Sequence, residues 1–542
     1  MEVFIKKLED LNLFLTKKND GLILRGSKGK LNKDEIQKIK ENNYIVNFIR
    51  DNKKDLIKFL DKKKLLPSFY KLSPLQEGML FHGLYDEDSK AYVVQLIVDF
   101  PKGLNIDYLK SSWDYVLRNH SILRSAFFHK ELSIPVQCVY NKITLPFSEL
   151  DYSSYSLSEQ EDKISSFLES DSKKGFVFDE VPLMRVTLIK IGSASYTMIL
   201  THHHILLDGW SMSIIIEEFL QAYEVFSKGF APSERQEDLY EDYIKYIASK
   251  DVYLEEKFWK KYLHELEAPS LLPFSEITSS RNKTDGDFAE LSLVIDFEFT
   301  NRIRNYAQKN HLTVNTLTQG VWAILLSKYT GDENIVYGVT VSGRPVELEN
   351  SDKKVGLYIN TLPLYSRLTG DKFVSEWLLS LQSDHTACRD HQYTYLSKIQ
   401  TLSGLQGDLF DSIMVFENYP VSKVLSEEND VLEANNITSK EQTNYLLTIT
   451  ISLGKELIID FSYNSTLLAN ETIVMIQRHF KTVLDQLIDS QDRKISEIKI
   501  LTPKEEHQLL KVFNDTQVEY PKDKTVIDLF EEQVKNNPEH IA

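Results

Sequence analysis

The run from Tyr196 to Leu200, ending in Met198, Ile199 and Leu200, is apolar and hydroxylic, and it predicts a buried strand. Asp208-Gly209 then breaks the pattern. Ser211 is a helix-capping residue type, and Ile214, Ile215, Phe219 and Tyr223 follow at helical spacing. A strand end, a tight loop and a helix start are therefore predicted in succession. Near the amino end, Val3, Leu8, Leu11 and Leu15 fit one helix face. Asn19-Asp20-Gly21 reads as a break, and Leu22-Ile23-Leu24 with Lys30-Leu31 flank Arg25 to Gly29 as a small hairpin. Asn32 with Glu35 is a capping signature before Ile36 and Ile39, and Phe48, Ile49, Leu56, Ile57 and Leu60 supply a further helix.

Composition changes the picture in three ways. A chain of 542 residues with 42% hydrophobic content has material for several cores. It contains no apolar run of about eighteen residues, so no membrane span is predicted, and Met1 to Lys7 lacks the apolar stretch of a signal peptide. These readings predict a cytoplasmic location. Cys138 and Cys388 make neither a disulfide framework nor a zinc spacing, and both are read as reduced and structural. The net charge of −17 argues against nucleic acid as a partner. That charge is uneven. Residues 1–64 hold 17 Lys/Arg and 10 Asp/Glu, a net of +7, which leaves −24 on the rest and marks the amino end as a separate unit.

The chemistry-bearing residues lie in the loop predicted first. His203 and His204 are adjacent, and neighbours in extended backbone point to opposite faces. One is therefore structural and the other faces a cavity. A neutral imidazole near pH 7 accepts a proton from an ammonium or positions an amine. Asp208 reads as architectural, because a partly buried carboxylate needs a cationic partner. The triplet His202-His203-His204 does not read as a metal site: consecutive residues do not converge on one ion, and no Cys or Glu cluster accompanies them.

The string His203-His204-Ile205-Leu206-Leu207-Asp208-Gly209 resembles the HHxxxDG signature of condensation domains in nonribosomal peptide synthetases. Further motifs resemble that family in its own order. They are Leu72 to His82, Arg118 to Arg124, Pro182 to Arg185, Tyr240 to Tyr243, Val341 to Pro345 with Val355 to Pro363, and Leu409 to Ser412 with Phe416 to Pro420. Each also has a plain structural reading, and most of these residues are expected to be scaffold.

The resemblance implies an α/β (α+β) fold of two chloramphenicol-acetyltransferase-like lobes in a V, the first over 67–236 and the second over 237–499. It implies peptide-bond formation between an upstream carrier-bound aminoacyl or peptidyl thioester and the amine of a downstream carrier-bound aminoacyl thioester. Both substrates arrive on phosphopantetheine arms, with no other cofactor and no metal. His204 is the expected functional histidine, as general base or as the group that positions the amine, with His203 beside it. Gly209 leaves room for the arm and offers a backbone N–H to the oxyanion. Arg344 is the expected partner of Asp208, Arg185 the second choice, and Trp210 supports the site with them. An epimerisation domain and a non-catalytic recruitment scaffold are the alternatives.

Residues 1–62 resemble a tubulysin-type, or β-hairpin, docking domain that holds the C-terminal tail of an upstream synthetase protein, with Arg25, Lys28 and Lys30 as its docking cations. Residues 500–542 resemble a linker and the truncated start of an adenylation domain, carried by Phe513 to Thr516 and Val526 to Gln533. The chain is thus expected to be a piece of a longer synthetase whose partners are two carrier domains, the downstream adenylation domain and the upstream subunit.

Overall fold

The computed structural model describes residues 13–18, 21–26, 68–85, 91–129, 134–274, 286–417, 432–489, 492–519 and 521–539, the first two stretches by backbone alone. From the amino end these form strands β1 (Leu13–Lys18), β2 (Gly21–Gly26) and β3 (Ser68–Lys71), helix α1 (Pro74–Tyr85), strand β4 (Val93–Phe100) and helix α2 (Ile106–Asn119). Strands β5 (Ser125–Phe128), β6 (Val136–Val139) and β7 (Phe147–Asp151), helix α3 (Leu157–Lys174), strands β8 (Met184–Lys190) and β9 (Tyr196–His203), and helices α4 (Gly209–Ser227), α5 (Glu241–Ala248) and α6 (Val252–Tyr262) follow. The second half holds β10 (Phe288–Ile295), α7 (Phe297–Lys309), α8 (Val314–Thr330), β11 (Asn334–Val341), β12 (Asn360–Arg367), α9 (Val374–Asp390), α10 (Leu396–Ser403) and β13 (Ser412–Glu417). It ends with β14 (Asn435–Lys440), β15 (Leu447–Leu453), β16 (Leu457–Asn464), α11 (Asn470–Leu487), α12 (Pro503–His507) and α13 (Val526–Asn536).

Two lobes of mixed α/β structure result, each a sheet with helices packed on it. In the first, β9 lies between β4 and β8, and the sheet order is β14-β4-β9-β8-β7. Being central, β9 buries both faces, which is why its sequence reads as a continuous apolar run. Val98, Leu96, Met198 and Leu200 meet Trp113 of α2 and Phe219 of α4, whose rings stack at 4.7 Å. The alternate residues Ile189 and Ile199 meet Leu168 of α3. The second lobe carries the sheet β10-β16-β15-β13-β11-β12. Ile449, Ile451, Ile459 and Phe461 of that sheet join α8 and α11 in the largest core. Helix α8 shows local signals and packing in agreement. Thr313 caps it by accepting the Thr316 N–H, and Gly331 ends it in the left-handed region at φ 81°.

The lobes are not contiguous in sequence. Strand β14 leaves the second half of the chain and pairs antiparallel with β4 of the first sheet. Tyr240, Tyr243, Val355, Leu357 and Tyr358 belong to the first lobe's core, so packing runs without a break across residue 236.

The amino end differs from the pattern-based expectation. Residues 13–18 form a strand where the spacing predicted a helix face, and β1 pairs with β2 in the register Lys18 to Gly21 and Leu13 to Gly26. The two strands therefore close between Lys18 and Gly21 rather than across Arg25 to Gly29, and Asn19 and Asp20 lie outside the described residues. Asn and Asp are turn-forming residue types, in keeping with the break read at Asn19-Asp20-Gly21. Strand β1 also meets β3 at Thr16 and Ser68, which puts the hairpin on the sheet β2-β1-β3-β6-β5 with β2 at its edge. The other helices expected within residues 1–62 lie outside the described residues.

Candidate functional site

The histidine loop starts where β9 stops pairing with β8. His203 N–H donates to Leu183 O at 3.0 Å, and His204 N–H donates to Tyr92 O at 2.7 Å. The two rings then part. His203 is buried, its Nδ1 accepts the Ile205 N–H at 3.1 Å, and Phe178 stands edge-on to it at 4.9 Å. Burial, then the neighbouring His204 and His202, hold His203 down to about 3. His202 is held to about 3 by the same burial and by His204. Both are neutral structural imidazoles. His204 is the ring that retains access, with 17% side-chain exposure. Its Nδ1 has no hydrogen-bond partner, and its Nε2 faces the Glu441 carboxylate at 4.0 Å.

Asp208 closes the loop from within. It is buried, its side chain caps α4 by accepting the Ser211 N–H at 2.8 Å, and it also accepts the Tyr358 N–H at 3.0 Å. Arg344 Nη2 pairs with Asp208 at 3.1 Å and reaches Ser211 Oγ at 2.7 Å. The other Arg344 terminal nitrogen donates to Ser351 O and Lys354 O at 2.6 and 2.8 Å. The guanidinium lies 4.3 Å from the Tyr358 ring and 5.8 Å from the Trp210 ring. Trp210 itself donates to Asp352 O at 2.8 Å. Gly209 is the first residue of α4, where backbone N–H groups lack partners within the helix.

Two glycines make this approach possible. At Gly343, φ is 61° and a Cβ would lie 1.7 Å from Tyr358 O. At Gly356 a Cβ would lie 2.3 Å from the Tyr240 ring. Without those side chains, Gly356 O reaches the Asp208 N–H at 3.2 Å and Ser211 Oγ at 2.7 Å.

The Condensation domain family model matches residues 67–510. The chain belongs to the condensation domain family. The condensation domain is 35% identical over 482 residues to bacitracin synthase 3 of Bacillus licheniformis, covering 89% of this chain and 8% of that protein. It is 33% identical over 483 residues to bacitracin synthase 1 of the same organism, covering 88% of this chain and 9% of that one. The chain thus spans under a tenth of these relatives. In fold it is similar to a four-domain nonribosomal peptide synthetase bound to AMP and glycine, with TM-score 0.71 and 17% identity over 88% of this chain and 37% of that one. It is also similar to the X-domain from teicoplanin biosynthesis, with TM-score 0.69 and 18% identity over 80% of this chain and 97% of that one.

Within the condensation domain, some of the other motifs support the same loop or the segment that holds it. Gln76 of α1 donates to Ile205 O at 3.1 Å. Tyr240 Oη donates to Leu357 O, and Tyr243 Oη donates to Tyr358 O at 3.0 Å. Arg124 is scaffold, bonded through Nε to Leu117 O at 2.9 Å. Arg185 does not meet Asp208. It pairs with Asp171 at 2.6 Å and lies 4.4 Å from the Phe176 ring, because it projects from the opposite side of the sheet. Arg25 is on β2, while Lys28 and Lys30 lie outside the described residues.

Three site residues carried no sequence signal. Tyr92 precedes β4 and lies beside the histidines within the first sheet, while Glu441 and Asn444 come to it because the chain crosses between the lobes. Behind Glu441 stand Glu417, Asp460 and Glu290. Glu417 is pushed up to about 7 by burial and by the Glu441 and Asp460 charges. Among the described residues no group of His, Cys, Asp or Glu is placed to hold a metal ion, and no helix is long and apolar enough to cross a membrane.

Proposed function

We propose that the chain forms a peptide bond between a carrier-bound aminoacyl or peptidyl thioester and the amine of a second carrier-bound aminoacyl thioester. The observation that carries this reading is His204, a partly accessible imidazole whose buried Nδ1 has no hydrogen-bond partner, on a loop that Asp208 pins from within. The amine nitrogen attacks the thioester carbon, the C–N bond forms and the C–S bond breaks. The amine's proton passes to the imidazole and then to the departing thiolate. The Glu441 carboxylate stands 4.0 Å from the other ring nitrogen, Nε2. His203 and His202 stay neutral and do not compete for that proton. The Gly209 N–H, at a helix start, is available to the oxyanion. Holding amine and thioester together accounts for much of the rate, since a thiolate leaves readily.

Exchange of His204 for alanine removes most of the dipeptidyl product formed from pre-loaded carriers while the melting temperature holds. Product at near the parent rate overturns the assignment. A D-configured aminoacyl carrier formed from an L-loaded one, with no peptide, would mark an epimerising domain instead.

Both ends of the chain carry further roles. Residues 1–62 dock the acidic tail of an upstream subunit. Their net positive charge and the edge position of β2 support this, because an edge strand accepts an extended peptide. Reversing charge at Arg25, Lys28 and Lys30 weakens tail binding in calorimetry, and equal affinity overturns the electrostatic part. Residues 500–542 lead into an adenylation domain, supported by the exposed Val526, Ile527 and Phe530 of α13, which such a domain would cover. The arms are phosphopantetheine and the setting is cytoplasmic on the same reading.

A further inference from the structure

Tyr92 is an aromatic residue held at φ 69°, in the left-handed region. Bulky L-residues persist there only when their surroundings over-determine them. Here three bonds do so. Tyr92 O accepts the His204 N–H at 2.7 Å, and Tyr92 N–H donates to Gln442 O at 2.7 Å. Tyr92 Oη donates to Asn444 Oδ1 at 2.5 Å. Gln442 and Asn444 belong to the crossover that leads from β14, on the first sheet, to β15, on the second. Glu441 of the same crossover faces the His204 ring at 4.0 Å.

The Asn444 amide is itself oriented. Its Nδ2 lies 2.9 Å from His82 Nε2. Burial holds His82 below its ordinary value, so the ring is neutral and its Nε2 can accept from that amide. The Oδ1 end is thereby turned to Tyr92, whose phenol burial keeps protonated and donating. The chain of contacts runs from α1 through the crossover to the backbone of His204.

We propose that Asn444 is a positioning residue for His204, acting through Tyr92, so that the crossover between the lobes sets where the imidazole stands. This rests on the reading of His204 as the group that handles the amine. Asn444 touches no reacting atom, and its effect is geometric: a displacement of about 1 Å in a reacting group costs on the order of a hundredfold in rate.

Two variants test it, Tyr92→Phe, which removes one hydroxyl, and Asn444→Ala. With saturating loaded carriers, kcat falls about tenfold in each, consistent with a displacement smaller than 1 Å, and KM for both carriers is unchanged. Hydrogen exchange, followed by mass spectrometry, rises in the peptide holding His204 to Leu207 of Asn444→Ala, while the rest of β4 and β9 keeps its protection. Rates within twofold of the parent overturn the proposal. So does a KM that rises as kcat falls, or protection lost equally across the first lobe, because each marks a merely structural role. If the parent itself makes no peptide, the activity reading fails, and the exchange measurement still decides: unchanged protection at His204 in Asn444→Ala rejects the positioning role.

Discussion

Arg344–Asp208 and Arg185–Asp171 are both buried arginine–aspartate pairs beside the histidine loop, yet they do different work. Asp208 draws on residues from both halves of the chain, accepting from Ser211 in one and from Arg344 and Tyr358 in the other. It locks the loop across the junction. Asp171 accepts from Arg185, Gln95 and Thr201, all in the first lobe. Its arginine backs Phe176, whose ring lies 6.5 Å from that of His203. The second pair braces the wall behind the structural histidine and does not reach the lobe junction. The chemistry of the pairs is the same. What separates them is which elements supply the partners, and that decides whether losing a pair loosens one lobe or the seam between two.

The largest effect expected is from Asp208→Ala. It strands the Arg344 cation and the Tyr358 N–H and removes the cap of α4. Breaking a buried pair costs about 3–5 kcal/mol, and the cap adds about 1 kcal/mol. Thermal melting falls by several degrees, and hydrogen exchange rises in residues 355–360 of the partner segment. An unchanged melting temperature with activity lost would make Asp208 a catalytic group instead.

Asp171→Ala comes next. Arg185 keeps its bonds to Gly175 O and Asp171 O, so the cost is nearer 1–3 kcal/mol. The exchange increase is confined to α3, β8 and β9. Equal loosening of residues 355–360 in this variant would erase the distinction between the pairs.

The smallest effect is a pH dependence at the junction. His120 stands between Glu218 at 2.9 Å and Asp238 at 3.3 Å, and Asp238 also holds Lys354 and the Val355 N–H. Burial works to lower His120, but the two carboxylates outweigh it and leave the ring above its ordinary 6.5. Its contribution is complete below that value and is lost as pH rises through the elevated one. Glu218 and Asp238 are held below their ordinary 4.5 and 3.8, against their own burial, by His120. Their contribution is present above those values and lost as pH falls through the lowered ones. The junction is therefore most stable between about pH 4.5 and 6.5. Replacing His120 with glutamine flattens the alkaline limb, a difference of roughly 2 °C in melting temperature between pH 6 and 8. A parent whose melting temperature rises over that interval contradicts the assignment.

Much of the site is legible in the order of residues alone. The apolar run into His203, the break at Asp208-Gly209 and the helical spacing after Ser211 are local signals, and strand, loop and helix form where they stand. The alternation of strand faces separates His203 from His204 without any tertiary information. Residues 13–26 mislead a pattern-based reading because Leu15 fits a helical face and a strand face equally, and the pairing of Lys18 with Gly21 settles it. Arg185 and Arg344 are equally good partners for Asp208 as residue types. Only the sheet, which puts Arg185 on the far side of β9, separates them.

The sequence by itself determined the strand, loop and helix around His203 and His204, because capping, turn and alternation rules act over a few residues and need no distant partner. Tertiary structure alone decided what surrounds that loop. Glu441 comes to His204, and Asn444 meets Tyr92 across 352 residues, only because the chain between β14 and β15 passes from one sheet to the other. A contact over more than three hundred residues leaves no periodicity in the chain, since its loop-closure cost is met by the packing of two whole lobes rather than by any local preference.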